Sequence, residues 1–373
     1  MSVDVHPVRS RRELREFIEL PFRLHSTSPQ WIPPLRLERH AFLSRRFNVL
    51  GAHGDWRLFL ARRDGRVAGR ISAQVDHAFN AYHGNRWGMF GFLELEDDPE
   101  VMAALLDAAS GWLRERGRER MVGPMDFTAN DELGVLVEGF DLEPMIRQPW
   151  HPPSYQRLCE GAGLAKEVDL FMWHLHISDR EKMLPVMFEL AEAAERDHGV
   201  RIRKMTRRSL RRDLDVFAEI YNDAWKRNWG FVPYSREDLD AYGQELQIVF
   251  SPHWFMVAEI DGEPVGAAIT VPDVNQALKK MNGRLLPVGW WHYLNRRRHI
   301  DRVRVGFLGV KRDFQHTGVA ARLFVEHFDM AGSVGPPGGE MGWILETNTP
   351  MNRAMEAMNG RIVKKYRVYE RAL

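Results

Sequence analysis

The sequence predicts an α+β protein built from two similar modules, each a mixed sheet flanked by helices. The chain has 373 residues, which is enough for two ordinary domains. Its composition, 44% hydrophobic and 28% charged residues, is typical of a globular protein. The third observation is an internal repeat, because two distant parts of the chain follow the same order of strands and helices.

Composition and charge narrow the functional classes. No apolar run approaches the roughly 20 residues of a membrane span, and the charged N-terminal stretch lacks the apolar core of a signal peptide, so we expect a cytoplasmic protein. The formal net charge of +1 gives no global field for a nucleic-acid partner. The single cysteine, Cys159, excludes an internal disulfide framework, and the histidine spacing predicts no metal site.

The repeat begins with a short strand, a basic turn and a helix in each half, followed by a predicted hairpin. The helices carry one apolar face, formed by Leu14, Phe17 and Ile18 in the first half and by Leu214, Phe217 and Ile220 in the second. Asp64-Gly65 and Asp261-Gly262 then stand between paired apolar runs, and Asp-Gly between such runs is a strong hairpin signal.

After the hairpin each half continues with a long strand, a helix, a strand, a short helix and a final strand. The first half reads RWGMFGFLELE, PEVMAALLDAASGWLRERG, RMVGPMDF, PPSYQRLCEGAG and LAKEVDLFMWHLHI. The second half reads RVRVGFLGV, GVAARLFVEHFDMAG, GWILET, PMNRAMEAMNG and RIVKKYRVYERAL. We therefore predict domains at 1–177 and 201–373, with a connecting helix at 178–200 capped by Ser178 or Asp179.

One stretch of the second half points to a ligand. The apolar strand that ends at Val310 is followed by Gln315, Gly318 and Ala320 in a Q-x-x-G-x-A arrangement, and a helical pattern begins directly afterwards. A turn that enters a helix presents unpaired N–H groups and the positive end of the helix dipole. Such a turn suits a pyrophosphate, and glycine or alanine lets the backbone come close to it.

The motif and the element order resemble the GNAT (GCN5-related N-acetyltransferase) superfamily. This resemblance implies two tandem GNAT-like acyl-CoA N-acyltransferase modules, with acetyl-CoA or another acyl-CoA as donor substrate and no metal. In the family the pantetheine arm lies along the strand, and a backbone N–H among Leu308–Val310 would polarise the thioester carbonyl. The family pattern assigns these residues to the donor: Phe307, Leu308, Gly309, Val310, Gln315, His316, Thr317, Gly318, Val319, Ala320 and Asn352.

The first half lacks the motif, so its module is expected to be degenerate. The corresponding turn carries Asp97, Asp98 and Glu100, which would repel a pyrophosphate. In the second half the family's usual tyrosine is replaced by Met358 or Asn359, depending on alignment. The predicted general base is Glu346, and Tyr366 is a candidate acid.

Two further segments are candidates for the acceptor. Asn130, Asp131 and Glu132 lie in a long loop that would bind an amine. The second half also has about 20 additional residues at 272–300, in which Trp290 and Trp291 precede three arginines. This composition predicts either a lid over an apolar substrate or peripheral membrane contact.

The predicted function is transfer of an acyl group from acyl-CoA to a primary amine by direct attack. An alternative acceptor is a lipid amine such as a sphingoid base, because the tandem layout is similar to GNAT-like proteins of bacterial sphingolipid N-acylation. A second alternative is a non-catalytic acyl-CoA-binding protein, since the usual tyrosine is missing. A third is a membrane-surface protein without CoA chemistry.

Overall fold

The computed structural model describes residues 3–373, with the backbone alone at Ile177, and the chain divides into two compact units. The first unit contains the residues up to Leu170 together with Ala277–Leu294 and Lys364–Leu373. The second contains Phe171–Gln276 and Asn295–Val363. The units are therefore not consecutive halves, because the first includes two segments from the later part of the chain.

The predicted helices and strands occur in the predicted order in both halves, with further short elements between them. In the first half they are β1 (Val3–Pro7), α1 (Arg11–Leu24), α2 (Arg36–Phe42), α3 (Leu50–His53), β2 (Gly54–Arg63), β3 (Arg66–Asp76), α4 (His77–His83), β4 (Trp87–Leu95), α5 (Pro99–Arg114), β5 (Arg120–Gly123), β6 (Val135–Glu138), α6 (Ser154–Gly161) and β7 (Ala165–His176). In the second half they are α7 (Pro185–His198), β8 (Arg201–Lys204), α8 (Leu210–Ala224), α9 (Arg236–Val249), β9 (Phe255–Ile260), β10 (Glu263–Pro272), α10 (Asn275–Met281), α11 (Gly289–Leu294), β11 (Arg302–Val310), α12 (Val319–Val334), β12 (Gly338–Leu345), α13 (Thr349–Ala357) and β13 (Arg361–Ala372).

Each unit has a mixed sheet flanked by helices, as the sequence predicts. The strand order in the first unit is β1-β2-β3-β4-β5-β13, and β6 also pairs with β13. In the second unit the order is β7-β12-β11-β10-β9-β8. The central pairs β4–β5 and β11–β12 are parallel, and the hairpins are antiparallel.

The two predicted hairpins are confirmed. Asp64 and Gly65 connect β2 to β3 with φ values of 52° and 77°, and Asp261 and Gly262 connect β9 to β10 with φ values of 50° and 82°. Positive φ at both central residues defines the turn whose twist matches two right-twisted strands. An aspartate followed by a glycine tolerates that backbone better than most pairs.

Helix α5 has the apolar face that the sequence predicts. Asp98 caps its N-terminus by accepting from the N–H groups of Glu100 and Val101, and Pro99 occupies the first turn. Its buried face includes Val101 and Leu105, and the helix packs mainly against β3. Complete burial of each such side chain contributes roughly 1.5–3 kcal/mol.

The helix that follows β7 begins later than predicted. Residues Ile177–Lys182 form a 3₁₀ segment, and α7 starts at Pro185. The predicted cap at Ser178 or Asp179 is therefore wrong, since Pro185 keeps Leu184 out of the helical region and fits the first helical position itself. Asp179 instead pairs with Lys182 at 3.0 Å.

Candidate active site

The second unit contains an opening between its two central parallel strands. Pairing of β11 with β12 runs from Arg302 opposite Gly338 to Val305 opposite Met341 and ends there. The remainder of β11 stays paired only with β10 on its other side, among the described residues. One backbone edge of β11 therefore faces this opening.

A β-bulge stands where the strands begin to separate. Ile269 of β10 lies opposite Phe307, but the next residue, Thr270, lies opposite Val305, so Gly306 is an extra residue in β11. A bulge bends its strand and redirects the groups that follow it. Here the bulge at Gly306 follows the last residue of β11 that pairs with β12, so the strand bends where that pairing ends.

The pairing pattern identifies which N–H groups of β11 face the opening. Lys311, directly after the strand, donates its N–H to Val265 O at 2.8 Å on the β10 side. Successive residues of an antiparallel pair alternate in direction, so Phe307 and Gly309 also face β10. The N–H groups of Leu308 and Val310 consequently point to the opening, which narrows the three predicted oxyanion donors to two.

The predicted phosphate turn forms an uncapped helix start. Residues Arg312–Thr317 make a 3₁₀ segment, and Gly318 is the N-cap residue of α12 without any side-chain cap. Val319 and Ala320 are the first residues of this helix, where N–H groups lack intrahelical acceptors and favour an anion. Gln315 ties the turn to the strand, because its Nε2 donates to Val310 O at 3.3 Å.

Gly318 is required by the fold as well as by the motif. Its φ is +76°, and a Cβ there would lie only 2.5 Å from the carbonyl oxygen of Leu190 in α7. Phosphate clearance is therefore not the sole reason for a glycine here, because the packing of α7 requires it without any ligand. A larger residue at this position would disturb the packing of α7 whether or not the turn binds acyl-CoA.

Two basic residues at the start of the turn anchor it to α8. Arg312 donates its N–H and its guanidinium to Asp223, with the ion pair at 3.0 Å. Lys311 pairs with Glu219 at 2.6 Å. Because both cations are already paired, the N–H groups at the helix N-terminus are what this turn presents to an anion, and the exposed His316 lies in the same turn.

An aromatic cluster packs against β11. The Phe307 ring contacts those of Phe217 and Trp225, with ring centroids 4.6 and 5.4 Å apart. Tyr221 and Tyr234 extend the cluster from α8 to the segment before α9. The side of β11 that faces α8 is therefore lined by aromatic side chains.

The structure places the two predicted catalytic residues in different units. Glu346 is half-buried directly after β12 in the second unit. Tyr366 is fully buried in the first, where its hydroxyl donates to Pro149 O at 3.1 Å. Asn352 accepts from Trp173 Nε1 and donates to Leu345 O, both at 3.0 Å, so its side chain holds α13 in place. The catalytic and donor-binding roles of these residues remain predictions.

In the first unit the equivalent opening is filled by the chain itself. Pairing of β4 with β5 ends at Met89 opposite Val122. Beyond it, Asp126 Oδ1 accepts from Phe92 N–H at 2.7 Å, and Tyr155 Oη accepts from Leu95 N–H at 2.9 Å. These contacts occupy the edge of β4 that would otherwise face an acyl-CoA, as expected of a degenerate module.

A buried charged cluster surrounds this filled opening. Glu94 lies 2.7 Å from His25 Nε2 and accepts from the Tyr155 hydroxyl at 2.8 Å. Burial alone would raise the pKa of Glu94, but His25 and Arg70 outweigh it and lower the pKa to about 2. Burial lowers the pKa of His151 to about 4, so this ring is neutral near pH 7.

Two carboxylates complete the cluster. Burial and the mutual repulsion of Asp126 and Glu132 raise the pKa of Asp126, and burial also raises that of Glu132 despite the nearby Arg39. Both side chains are half-buried. They border a cavity of about 40 Å³, which is lined by Arg70, Phe92, Leu93, Glu94, Pro124, Asp126, Glu132, Gly134, Pro149 and His151.

Of the three loop residues predicted to bind an amine, only Glu132 lines the cavity. Asn130 is exposed, and its carbonyl accepts from Arg147 at 2.8 Å. Asp131 accepts from the Thr128 hydroxyl at 2.7 Å. The assignment of these residues to the acceptor remains a prediction, as does that of the exposed Trp290 and Trp291.

Most residues that line the cavity were not predicted from the sequence, although two of them carry a signal there. Arg70 and Glu94 are charged residues within otherwise apolar strands, where a buried charge needs a partner. His25, His151 and Tyr155 carry no such pattern. Within residues 3–373, no group of three or more His, Cys, Asp or Glu side chains is arranged to hold a metal, and no helix among those described is long and apolar enough to cross a membrane.

Comparison with known proteins agrees with this fold. A solved tandem GNAT protein from the clavulanic acid biosynthesis pathway aligns over 100% of this chain and 98% of its own, with a TM-score of 0.59 and 12% identity. A GCN5-related N-acetyltransferase from Sphaerobacter thermophilus aligns over 99% and 95%, with a TM-score of 0.55 and 12% identity. The fold is therefore that of the GNAT superfamily in tandem arrangement, as predicted.

Sequence comparison adds two relatives that match along almost the whole chain. Bacterial ceramide synthase from Caulobacter vibrioides is 37% identical over 380 residues, which cover 100% of this chain and 98% of that protein. Protein YghO from Escherichia coli is 33% identical over 370 residues, covering 98% and 94%. No protein-family model matches the chain. The chain belongs to the family of these two relatives, and its fold is that of the tandem GNAT proteins.

Proposed function

We propose that this protein transfers an acyl group from acyl-CoA to the primary amine of a long-chain lipid base. The observation that carries the proposal is the 37% identity to a bacterial ceramide synthase along the whole chain. The opening beside β11, with its bulge and the uncapped start of α12, supports the donor half of the reaction. The lipid acceptor is favoured over a soluble amine by this relative and by the exposed apolar residues of the insertion.

The reaction forms one bond and breaks another. The neutral amine attacks the thioester carbonyl, a C–N bond forms, and the C–S bond breaks to release the thiol of CoA. The amine loses one proton and the departing sulfur gains one, so no oxidant or metal is needed. The N–H groups of Leu308 and Val310 would stabilise the charge that develops on the carbonyl oxygen.

The donor site can be tested without relying on Gly318, whose replacement would also disturb α7. We expect His316→Glu to weaken acyl-CoA binding roughly tenfold, because a carboxylate beside the turn would repel the pyrophosphate. Isothermal titration with acetyl-CoA and a long-chain acyl-CoA measures the effect. The matched control is His253→Glu, which makes the same change at another exposed histidine of the second unit. Equal affinity in both variants would remove the turn from the site.

We also propose that the insertion contacts an anionic lipid surface. Its exposed apolar residues belong to the first unit and are Leu285, Leu286, Val288, Trp290, Trp291 and Leu294. Arg284, in the same unit, is also exposed. Tryptophans beside arginines are suited to the boundary between lipid headgroups and acyl chains. Lys279 anchors the insertion by donating to Pro29 O at 2.7 Å.

Vesicle co-sedimentation tests this contact. With vesicles of phosphatidylglycerol, we expect replacement of Trp290 and Trp291 by serine to reduce the bound fraction by roughly tenfold, since two anchors are lost. Val186→Ser, which removes an exposed apolar side chain from α7, should leave binding unchanged. Retention that is the same for all three proteins, or is absent from the unmodified protein, would contradict the proposal.

A further inference from the structure

Two arginine-rich segments that are far apart in the chain meet in the second unit. Residues 205–212 lead into α8 and carry four arginines, and residues 295–300 precede β11 and carry three. Neither segment contains an acidic residue or a lysine. Resting on the function proposed above, we propose that the two segments form one surface, the arginine surface, which binds the phosphate groups of an anionic lipid bilayer.

The C-terminal end of α9 joins the two segments. Arg207 donates to Gln247 O at 3.3 Å, and Arg296 donates to Ile248 O at 3.4 Å. These carbonyls belong to the last turn of α9, where the chain offers no intrahelical donor and the helix dipole favours cations. The Arg207 guanidinium also lies over the Phe250 ring, 5.3 Å from its centroid. The two basic segments are therefore held at the same helix end.

The remaining arginines supply charge that the protein does not use internally. Four are exposed and make no side-chain ion pair or hydrogen bond with the described residues: Arg208, Arg211, Arg297 and Arg298. Arg211 stands in the first turn of α8, where the helix dipole disfavours a cation, so helix stability does not explain its charge. Unpaired guanidinium groups in one place repel each other, and binding of an anion removes that repulsion.

The neighbouring carboxylates do not neutralise this surface. Asp213 is fully buried and pairs with Arg203 at 3.1 Å. Asp301 accepts from Gln276 Nε2 at 2.6 Å. The last two turns of α9 add one carboxylate, Glu245, to a surface with seven arginines. The local charge is therefore strongly positive in a chain whose formal net charge is +1.

The arginine surface is separate from the proposed pyrophosphate site. Asp223, near the end of α8, holds Arg312 of the phosphate turn, whereas the arginine surface lies at the start of that helix. At 1.5 Å per residue the two ends of α8 are roughly 20 Å apart. Residues 295–300 likewise precede β11, while the phosphate turn follows it. The arginine surface thus lies at the end of β11 that the donor's phosphates would leave free.

The side chains of this surface favour a bilayer as the partner. A guanidinium pairs with a phosphate through two parallel hydrogen bonds, and the surface has arginines without lysines. Ile248 is 52% exposed beside the contacts of Arg207 and Arg296, and an apolar side chain among cations suits the boundary between headgroups and acyl chains. The segments 205–212, 244–250 and 295–300 expose no Phe, Tyr or Trp ring on which a nucleic-acid base could stack.

Co-sedimentation of the full chain with vesicles tests the proposal. With mixed phosphatidylglycerol and phosphatidylcholine vesicles at low salt, we expect the double variant Arg208→Gln, Arg211→Gln to bind roughly tenfold more weakly. The double variant Arg297→Gln, Arg298→Gln should behave in the same way. Added salt should weaken binding of the parent more than that of either variant, because ions screen exposed charges.

The matched control is the double variant Arg353→Gln, Arg361→Gln. It removes two exposed arginines of the same unit that lie in other segments, so the net charge changes equally. We expect its vesicle binding to match that of the parent within about twofold. Urea unfolding should give the same midpoint for all three double variants, since none of these side chains has a partner to lose.

Equal vesicle binding by the control and by both surface variants would overturn the proposal. Vesicle binding that ignores the surface arginines, together with retardation of a double-stranded DNA oligonucleotide that depends on them, would overturn it in favour of nucleic acid. Binding to pure phosphatidylcholine vesicles that falls equally in the surface variants would also contradict it, because that lipid carries no net charge.

Amide formation separates this inference from the proposed function. With sphinganine in neutral detergent micelles, the surface variants should keep the kcat of the parent, whereas with sphinganine in phosphatidylglycerol vesicles their rates should fall as their binding falls. A protein that binds vesicles through these arginines but forms no amide would support the surface and reject the transferase. Amide formation by a protein whose vesicle binding ignores the arginines would support the transferase and overturn the surface.

Discussion

Removing the backbone N–H of Leu308 or of Val310 is expected to lower kcat by roughly 10²–10³-fold, the usual effect of losing one oxyanion donor. Both groups face the opening beside β11, as the alternation from the Lys311–Val265 hydrogen bond requires. Replacing each residue by its α-hydroxy analogue removes the N–H and keeps the side chain. Single-turnover acyl transfer then measures the chemical step.

The matched control is the same replacement at Gly309. Its N–H faces β10, so the exchange should cost about 1 kcal/mol of the free energy of unfolding and leave kcat unchanged. If the α-hydroxy replacements at 308 and 310 both leave kcat within about threefold of the parent, neither N–H polarises the thioester carbonyl. Another group must then do so.

The second large effect concerns stability. Glu94→Leu should lower the free energy of unfolding by about 3–5 kcal/mol, because it leaves Arg70 and His25 as buried charged or polar groups without their carboxylate. Urea unfolding at pH 7 measures the change. Glu96→Leu, two residues later, removes only the partly exposed pairs with Arg23 and Arg66 and should cost about 1 kcal/mol or less.

The pH dependence of this stabilisation has a definite sign. The folded-state pKa of Glu94, about 2, lies below its usual value of 4.5, so ionised Glu94 favours the folded state. Its contribution is present above pH 4.5 and is lost as the pH falls towards 2. The stability difference between the parent and Glu94→Gln should therefore shrink in acid. A difference that is constant from pH 3 to pH 7 would contradict the depressed pKa.

Local patterns in the sequence predicted most elements, including the strand, turn and helix start that are proposed as the donor site. The Asp-Gly hairpins and the face of α5 depend on turn chemistry and on helical periodicity, which are both local. Gln315, Gly318 and Ala320 predicted a strand, a turn and a helix start, and the structure has all three in order. The bulge at Gly306 and the direction of each N–H required the register between β10 and β11.

The pairing of strands that are far apart in the chain could not be predicted from the sequence. The last strand, β13, joins the sheet of the first unit, with Tyr369 opposite Gly123, although it follows the second half in the chain. Likewise, the cavity gathers Glu94 and His151 from segments far apart in sequence, and His25 contacts Glu94 from a third. Charged residues within apolar strands gave a partial signal, but their partners became visible only through tertiary contacts.

Acyl transfer to a lipid amine can be measured by product analysis. Purified protein is incubated with sphinganine and with acetyl-CoA or a long-chain acyl-CoA, and mass spectrometry quantifies the amide while a thiol reagent quantifies free CoA. We expect one amide per CoA released. Both signals should be lost in the α-hydroxy variants at 308 or 310. Tight acyl-CoA binding without any amide would contradict the transferase and leave an acyl-CoA-binding protein.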